Sequence, residues 1–328
     1  MKNSRCQIAE TPVWQMQITP TNLRLRAQLL ARIRAFFTNK NVTEVDVPVL
    51  SHNGVTDPYL DNFVTQLTLG QTSTSLYLQT SPEYAMKRML ASGSGCIYYL
   101  GKAFRHEGAG HQHNPEFTML EWYRIGFDDR ALMHEIDELL MDVLSVASAE
   151  YLSYHAAFLH YVDLDINTAS HDELIAALAM DFHYDIQQAS RDHVLQLLFN
   201  IHIEPKIGQE RPCFIIDFPA SQAALAKISS ADPRYAHRFE VYFKGIELAN
   251  GYWELTDAQE QSRRFAADNA IREADGAVQV APDPRLIAAL THGLPECAGV
   301  ALGVDRLFML AQNLDSIEDT LAFPLPRA

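Results

Sequence analysis

Apolar positions recur at helical spacing near the start of the chain. Leu23, Ala27, Leu30, Ile33, Phe36 and Phe37 form one stripe, with arginines on the other side. Thr19-Pro20 reads as an N-cap followed by proline at the first helical position, and Asn39 and Asn41 close the helix. The period then changes. Val45, Val47 and Val49 alternate with polar Glu44 and Asp46, which predicts a strand. Pro48 has no N–H for a ladder, so that strand belongs at a sheet edge or against another subunit. Further strands are expected at Leu76–Thr80, Ile97–Phe104, Phe117–Ile125, Cys213–Phe218, Phe239–Lys244, Ile246–Asn250 and Gly299–Val304. Helices are expected at about 128–147, 190–200 and 256–272, the last opened by a capping box of Thr256 and Gln259. The strands cluster between long helical insertions and do not alternate strictly with helices. The expected class is therefore α+β, an antiparallel sheet flanked by helices, rather than a Rossmann fold.

With 328 residues, 48% hydrophobic and 20% charged, the chain has material for one large domain with insertions. A disordered chain, a collagen-like chain and a disulfide mini-scaffold are excluded. The net charge is −15, from 26 Lys and Arg against 41 Asp and Glu. Residues 1–40 run the other way, with seven cations and one anion, Glu10. An acidic body disfavours a broad nucleic-acid surface, which needs clustered cations, although a local basic patch remains open on the first helix. Cys6, Cys96, Cys213 and Cys297 are widely spaced without a C-x-x-C, which fits reduced thiols in a cytoplasm. No apolar leader and no run of about 18 apolar residues is present, so no membrane partner is expected.

The densest chemistry lies at Phe104-Arg105-His106-Glu107, a Gly108-Ala109-Gly110-His111-Gln112 loop, and His113-Asn114-Pro115-Glu116-Phe117-Thr118. His106-Glu107 and His111 are one residue too far apart for the zinc pattern H-E-x-x-H, and Gly108 and Gly110 spoil the helix it needs. A strand, a glycine loop and a returning strand fit better. Arg105 can fork onto a phosphate and Phe117 offers a ring to a base. Later, Gly299-Val300-Ala301-Leu302-Gly303-Val304-Asp305-Arg306 places Arg306 at a strand-to-helix junction. Glu247 and Glu254 stand seven residues apart, a pair able to hold Mg2+ on ATP or to face an ammonium. Each feature alone has a bland reading as a surface ion pair, a core aromatic or an acidic hairpin tip.

Taken in order, these segments resemble the three motifs of class II aminoacyl-tRNA synthetases. The basic helix with Val47-Pro48 is similar to motif 1, Phe104–Glu107 through Phe117 to motif 2, and Gly299–Arg306 to motif 3. Thr80-Ser81-Pro82-Glu83, His113 through Tyr123, and Glu247-Leu248-Ala249-Asn250-Gly251 are similar to lysyl-tRNA synthetase catalytic domains. The anticodon-reading OB-fold of those enzymes needs on the order of 100 residues, and about 20 residues precede the first helix here. The expected organisation is one catalytic domain over 1–328, with about 1–19 as an extension. The chain thus resembles the stand-alone paralogues that join lysine or (R)-β-lysine to translation elongation factor P.

The resemblance implies ATP and Mg2+ as cofactors, a homodimer, elongation factor P as acceptor and no tRNA. It implies Arg105 and Arg306 as catalytic, with Arg105 on the α-phosphate and Phe117 and Arg306 around adenine. Glu107, Asn114, Leu248 and Gly303 complete the ATP contacts, and Glu247 carries Mg2+, with Glu254 as a second candidate ligand. Ser81, Pro82 and Glu83 would receive the amino group near the substrate carboxylate, and Tyr123 and Glu254 the distal ammonium. Ala301 stands where lysyl-tRNA synthetases have glycine, beside that pocket. His106 and His111 depart from the usual motif 2 residues, which would weaken the loop's grip on pyrophosphate or make it pH-dependent. Alternatives are tRNA charging, a non-catalytic regulatory paralogue, and an ammonia-using amide synthetase.

Overall fold

The structure is a computed structural model; it describes residues 14–106, 108, 110–178 and 189–328. In chain order the elements are α1 (Pro20–Asn39), β1 (Thr43–Glu44), β2 (Leu50–Ser51), β3 (Val64–Leu69), β4 (Thr72–Leu78), α2 (Glu83–Ala91), β5 (Ile97–Phe104), β6 (Glu116–Ile125), α3 (Asp129–Leu144) and β7 (Glu150–Ser153). They continue with α4 (Tyr154–Tyr161), α5 (His171–Leu178), α6 (Arg191–Leu198), β8 (Cys213–Pro219), β9 (Tyr235–Phe243), β10 (Ile246–Trp253), α7 (Ala258–Ala274), α8 (Pro284–Gly293), β11 (Cys297–Gly303) and α9 (Val304–Ala311).

One eight-stranded sheet organises the molecule in the order β1-β5-β6-β11-β10-β9-β8-β7. Its six central strands are antiparallel, as expected, but both edge strands pair parallel, β1 on β5 and β7 on β8. Strand alternation gives the sheet two different faces. On one, Tyr98, Trp122, Val300 and Phe239 join the core beneath α1, α3 and α9. Phe37 of α1 stacks on Tyr98 at 4.5 Å and meets Trp122 edge-on at 5.2 Å. Leu29, Ile33 and Phe37 are the buried residues of α1, each contributing roughly 1.5–3 kcal/mol. Leu23, placed in the stripe by its spacing, is exposed.

The other face is covered at its two ends only. Ile97, Tyr99, Tyr123 and Cys297 lie in a core with Met86, Phe265 and Leu286 of α2, α7 and α8. Cys213, Ile215 and Tyr242 lie in a core with α4, α5 and α6. Between these caps the middle of β6, β11, β10 and β9 is left for the site.

Several local expectations shift. Thr19 caps α1 with Pro20 at the first position, as read from sequence. The valine strand stops after Glu44: Val45 still donates to Tyr98, but Pro48 cannot, and the chain leaves to pair Leu50–Ser51 with β4. The helix 258–274 is capped by Asp257, whose carboxylate accepts from Gln259 and Glu260, so the Thr256–Gln259 box is not formed. Much of the basic face of α1 is engaged in ion pairs. Arg26 meets Asp305, Arg32 meets Asp142, Arg34 meets Glu44 and Lys40 meets Glu138, while Arg24 stays exposed. No helix among the described residues is long and apolar enough to cross a membrane.

Candidate active site

The registers of β5, β6, β11, β10 and β9 align the site in two rows. One runs Tyr99, Glu121, Ala301, Asn250, Glu240, and the next Ile97, Tyr123, Gly299, Tyr252, Arg238. Directly opposed residues share a face, so these side chains project together. Ser81 and Pro82 lead α2 toward the rows, with Pro82 at the N-cap position.

At this end a closed polar cluster forms. Ser81 Oγ donates to Glu121 Oε2 at 2.6 Å and accepts from the Glu83 amide at 3.0 Å. Tyr123 OH donates to the other Glu121 oxygen at 2.8 Å. Lys87, one turn beyond Glu83 on α2, reaches Glu83 at 2.5 Å and Glu254 at 2.7 Å. Glu121, Glu254 and Lys87 are each at most 2% exposed. Gly299 makes the contact possible: a Cβ there would stand 2.3 Å from the Tyr123 ring and 2.5 Å from Glu254 Oε1.

Burial, then the neighbouring Glu83, pushes Glu121 up to about 8 against the hydrogen bonds of Ser81 and Tyr123. Burial also raises Glu254, but there the Lys87 ammonium opposes it. Burial alone would lower Lys87; Glu254 and Glu83 outweigh it and keep the ammonium charged. Both carboxylates are pushed up to about 8, so a resident proton is shared within the cluster. Burial beside Glu121 holds the Tyr123 phenol well above its ordinary value.

The other end of the same face gathers the expected nucleotide residues. Arg105 lies over the Phe117 ring at 5.4 Å, and its Nε is buried without a hydrogen-bond partner among the described residues, poised for an anion. Arg306 donates to the Glu247 carbonyl at 2.9 Å, reaches the Gln112 carbonyl at 3.3 Å and contacts His113 Nε2 at 2.8 Å. Gly303 is the N-cap of α9, and an added Cβ would stand no closer than 3.8 Å to Arg306. Arg26, absent from the sequence-derived set, anchors this end: it binds Asp305 at 2.5 Å and Thr118 Oγ1 at 2.8 Å, while Asp305 accepts from the Thr118 amide. Glu107 lies outside the described residues.

Three expected residues stand elsewhere. Asn114 uses its side chain on the Glu116 carbonyl and the Leu325 amide, so it ties the loop to the C-terminal segment. The Leu248 side chain is buried in the core, leaving only its backbone for a ligand. Glu254 cannot share a metal with Glu247. The two stand at opposite ends of β10, roughly 20 Å apart by strand rise, and Glu254 is held by Lys87. Glu240, which raises no sequence signal of its own, is the carboxylate that shares the Glu247 end; each of Glu240 and Glu204 is pushed up partly by Glu247. Glu121 and Lys87 also escaped the sequence reading. Two rules could have found them: Glu121 is two residues from Tyr123 on one strand, and Lys87 is four from Glu83 on one helix.

A family of known proteins has this chain's pattern throughout. The family described as tRNA synthetases class II (D, K and N) matches residues 14–327. The chain belongs to that family. Among curated relatives, the elongation factor P–(R)-β-lysine ligase of Vibrio cholerae serotype O1 is 55% identical over 323 residues, 96% of this chain and 98% of its own. The similarly named ligase of Proteus mirabilis is 52% identical over 326 residues, 98% of this chain and all of its own. That of Yersinia enterocolitica is 51% identical with the same coverage. The class II membership accounts for the antiparallel strands and for the order of the Arg105 and Arg306 segments along the chain.

Proposed function

We propose that this chain activates a lysine-type amino acid, lysine or (R)-β-lysine, with ATP and transfers it to a lysine side chain of translation elongation factor P. The observation carrying this reading is the buried group of Glu83, Glu121, Glu254 and Tyr123 on the same sheet face as Arg105 and Arg306. Acceptors for a substrate with two ammonium groups stand beside cations for phosphate. The acceptor protein is suggested by the names of relatives at 51–55% identity.

In the first step the substrate carboxylate attacks the α-phosphorus of ATP, the bond to pyrophosphate breaks, and an aminoacyl-adenylate forms. In the second, a neutral lysine ε-amine attacks the activated carbonyl, the C–O bond to AMP breaks, and an amide forms as the amine loses its proton. The chain's work is positioning and electrostatic stabilisation. Arg105 is assigned to the α-phosphate, and Phe117 and Arg306 to adenine. Asn114 orders the loop, Leu248 and Gly303 contribute backbone, and Glu107 completes the set. Ser81, Pro82 and Glu83 receive the amino group near the carboxylate, Tyr123 and Glu254 the distal ammonium, and the Ala301 methyl narrows the floor. Glu247, at 37% exposure, suits Mg2+, which is commonly held by one or two carboxylates plus substrate phosphates. The metal would neutralise phosphate charge there.

The test is transfer of radiolabelled lysine isomers to purified elongation factor P and, separately, to lysine tRNA. Labelled protein with little labelled tRNA is expected. Efficient tRNA charging with no labelled protein overturns the reading. A homodimer is part of the same proposal, formed across α1 and the segment around Pro48, where Leu23 and Leu50 leave apolar surface exposed. Light scattering at micromolar concentration is expected to give twice the 36.9 kDa chain mass.

A further inference from the structure

The amino-acid pocket contains a cation of its own. Lys87 is 1% exposed and stands between Glu83 and Glu254, the two carboxylates assigned to opposite ends of the substrate. The groups facing this cluster are Glu83 and Lys87 of α2, Tyr99 of β5, Glu121 and Tyr123 of β6, Tyr252 of β10, Glu254 just beyond it, Cys297 of β11, and the Arg238–Glu240 ion pair of β9. With the phenols and the thiol neutral, four carboxylates stand against one ammonium and one guanidinium, so the cluster carries a net charge of −2. A buried cluster of that charge is costly unless cations or protons cancel it.

We infer that Lys87 is a specificity-determining positioning residue: it draws Glu83 and Glu254 to one point and leaves two negative charges uncancelled, the number that a substrate with two ammonium groups neutralises. The inference rests on the lysine-type substrate proposed above. An amino acid with a single ammonium leaves the cluster unbalanced, and one with two replaces whatever protons the cluster holds. Glu121 and Glu254 share the proton, and the rise of both to about 8 places that exchange in the neutral to mildly alkaline range, with Lys87 acting on the pair through Glu254.

Two consequences can be measured on the full-length protein. In calorimetry at pH 7.5, binding of lysine or (R)-β-lysine in buffers of different ionisation enthalpy should reveal release of up to about one proton. In steady-state pyrophosphate exchange, KM for the amino acid should fall as pH rises from about 7 to 8.5. Lys87→Met removes the cation that stabilises the carboxylates. Loss of an opposite charge within about 4 Å moves a pKa by one to three units, so the KM inflection should move up by at least about one unit. KM at pH 7.5 should then rise about 10- to 100-fold, and more protons should be released on binding. Lys87→Arg keeps the charge and should keep the inflection near its original pH, whatever happens to kcat.

A Lys87→Met protein with altered kcat or melting temperature but unchanged inflection and proton count would reduce Lys87 to a structural prop and overturn the inference. Should that variant not fold, the unmodified protein still decides: substrate binding without proton release between pH 6.5 and 9 overturns it equally. Binding of neither lysine isomer, by calorimetry or by exchange, refutes the substrate reading itself and removes this inference with it.

Discussion

The two ends of one sheet face are built on different terms. At the amino-acid end the polar groups are carried by strands, by α2 or by the residues flanking them and are tied to one another; Glu121, Tyr123, Glu254 and Lys87 lie almost wholly out of water, and Ser81 and Glu83 are half-buried. At the nucleotide end Arg105 and His113 come from the loop between β5 and β6, Phe117 from β6, Glu247 from β10 and Arg306 from the start of α9, and two of these keep contact with solvent: Arg306 is 20% exposed and Glu247 37%. A buried carboxylate cannot be left half satisfied, because its desolvation is not returned by water. The amino-acid end is therefore assembled before substrate arrives and reads charge and length strictly. The nucleotide end, screened by water, tolerates rearrangement, and its grip relies on ATP to complete it. The contrast explains why Gly299 is needed at one end, where Tyr123 and Glu254 close over it, while Gly303 at the other has open space around it.

Breaking the nucleotide end should produce the largest effect. Arg306→Ala removes the contacts to Glu247, Gln112 and His113, and pyrophosphate exchange should fall about 100- to 1000-fold, as for loss of a single charge-stabilising donor. Amino-acid binding measured by calorimetry should survive. If it is lost as well, the two ends are one cooperative unit and the contrast fails. Glu254→Gln tests the opposite end. The neutral isostere should cost roughly 2–4 kcal/mol, or about 30- to 1000-fold in lysine activation, with ATP binding little changed. Unchanged lysine-dependent exchange removes Glu254 from the pocket. Gly299→Ala sharpens the steric side. The added methyl must displace Tyr123 or Glu254, and KM for lysine should rise about tenfold or more through overpacking of 1–3 kcal/mol. The same change at Gly303 should do far less.

The smallest expected effect is on stability. Glu121 is raised in the folded state above its ordinary value of 4.5, to about 8. Its contribution is present below the unfolded value and is lost as pH rises through the folded one. Without amino acid, the melting temperature of the unmodified protein should drop relative to Glu121→Gln between about pH 5 and 8, by a few degrees. Saturating lysine should recover much of that loss. Parallel curves for the two proteins would show that the cluster holds no proton.

The strands that frame the site were legible because each carries a long apolar run with clear limits; Ile97–Phe104 is the same in sequence and structure. The hairpin of β3 and β4 was not anticipated, because β3 is exposed along its whole length and has no buried side to set a pattern. α2 was missed for a related reason: it spans nine residues and buries Lys87 beside Met86 and Leu90, so its charge disguises its inward face. The Thr256 cap lost to Asp257, whose carboxylate reaches two amides at once.

By itself the sequence determined what is local or ordered along the chain: the capped first helix, the central strands, and the succession of Arg105, Phe117, Glu247 and Arg306 that points to a class II site. Tertiary structure alone decided which charges meet. Lys87 and Glu254 are 167 positions apart in the numbering and touch because α2 packs where β10 ends. Arg26 becomes the anchor of Asp305 and not a surface cation because α1 lies across the back of the sheet. Spacing and residue type set what a segment can form, whereas the partner of a buried charge depends on which segments the fold removes from water together.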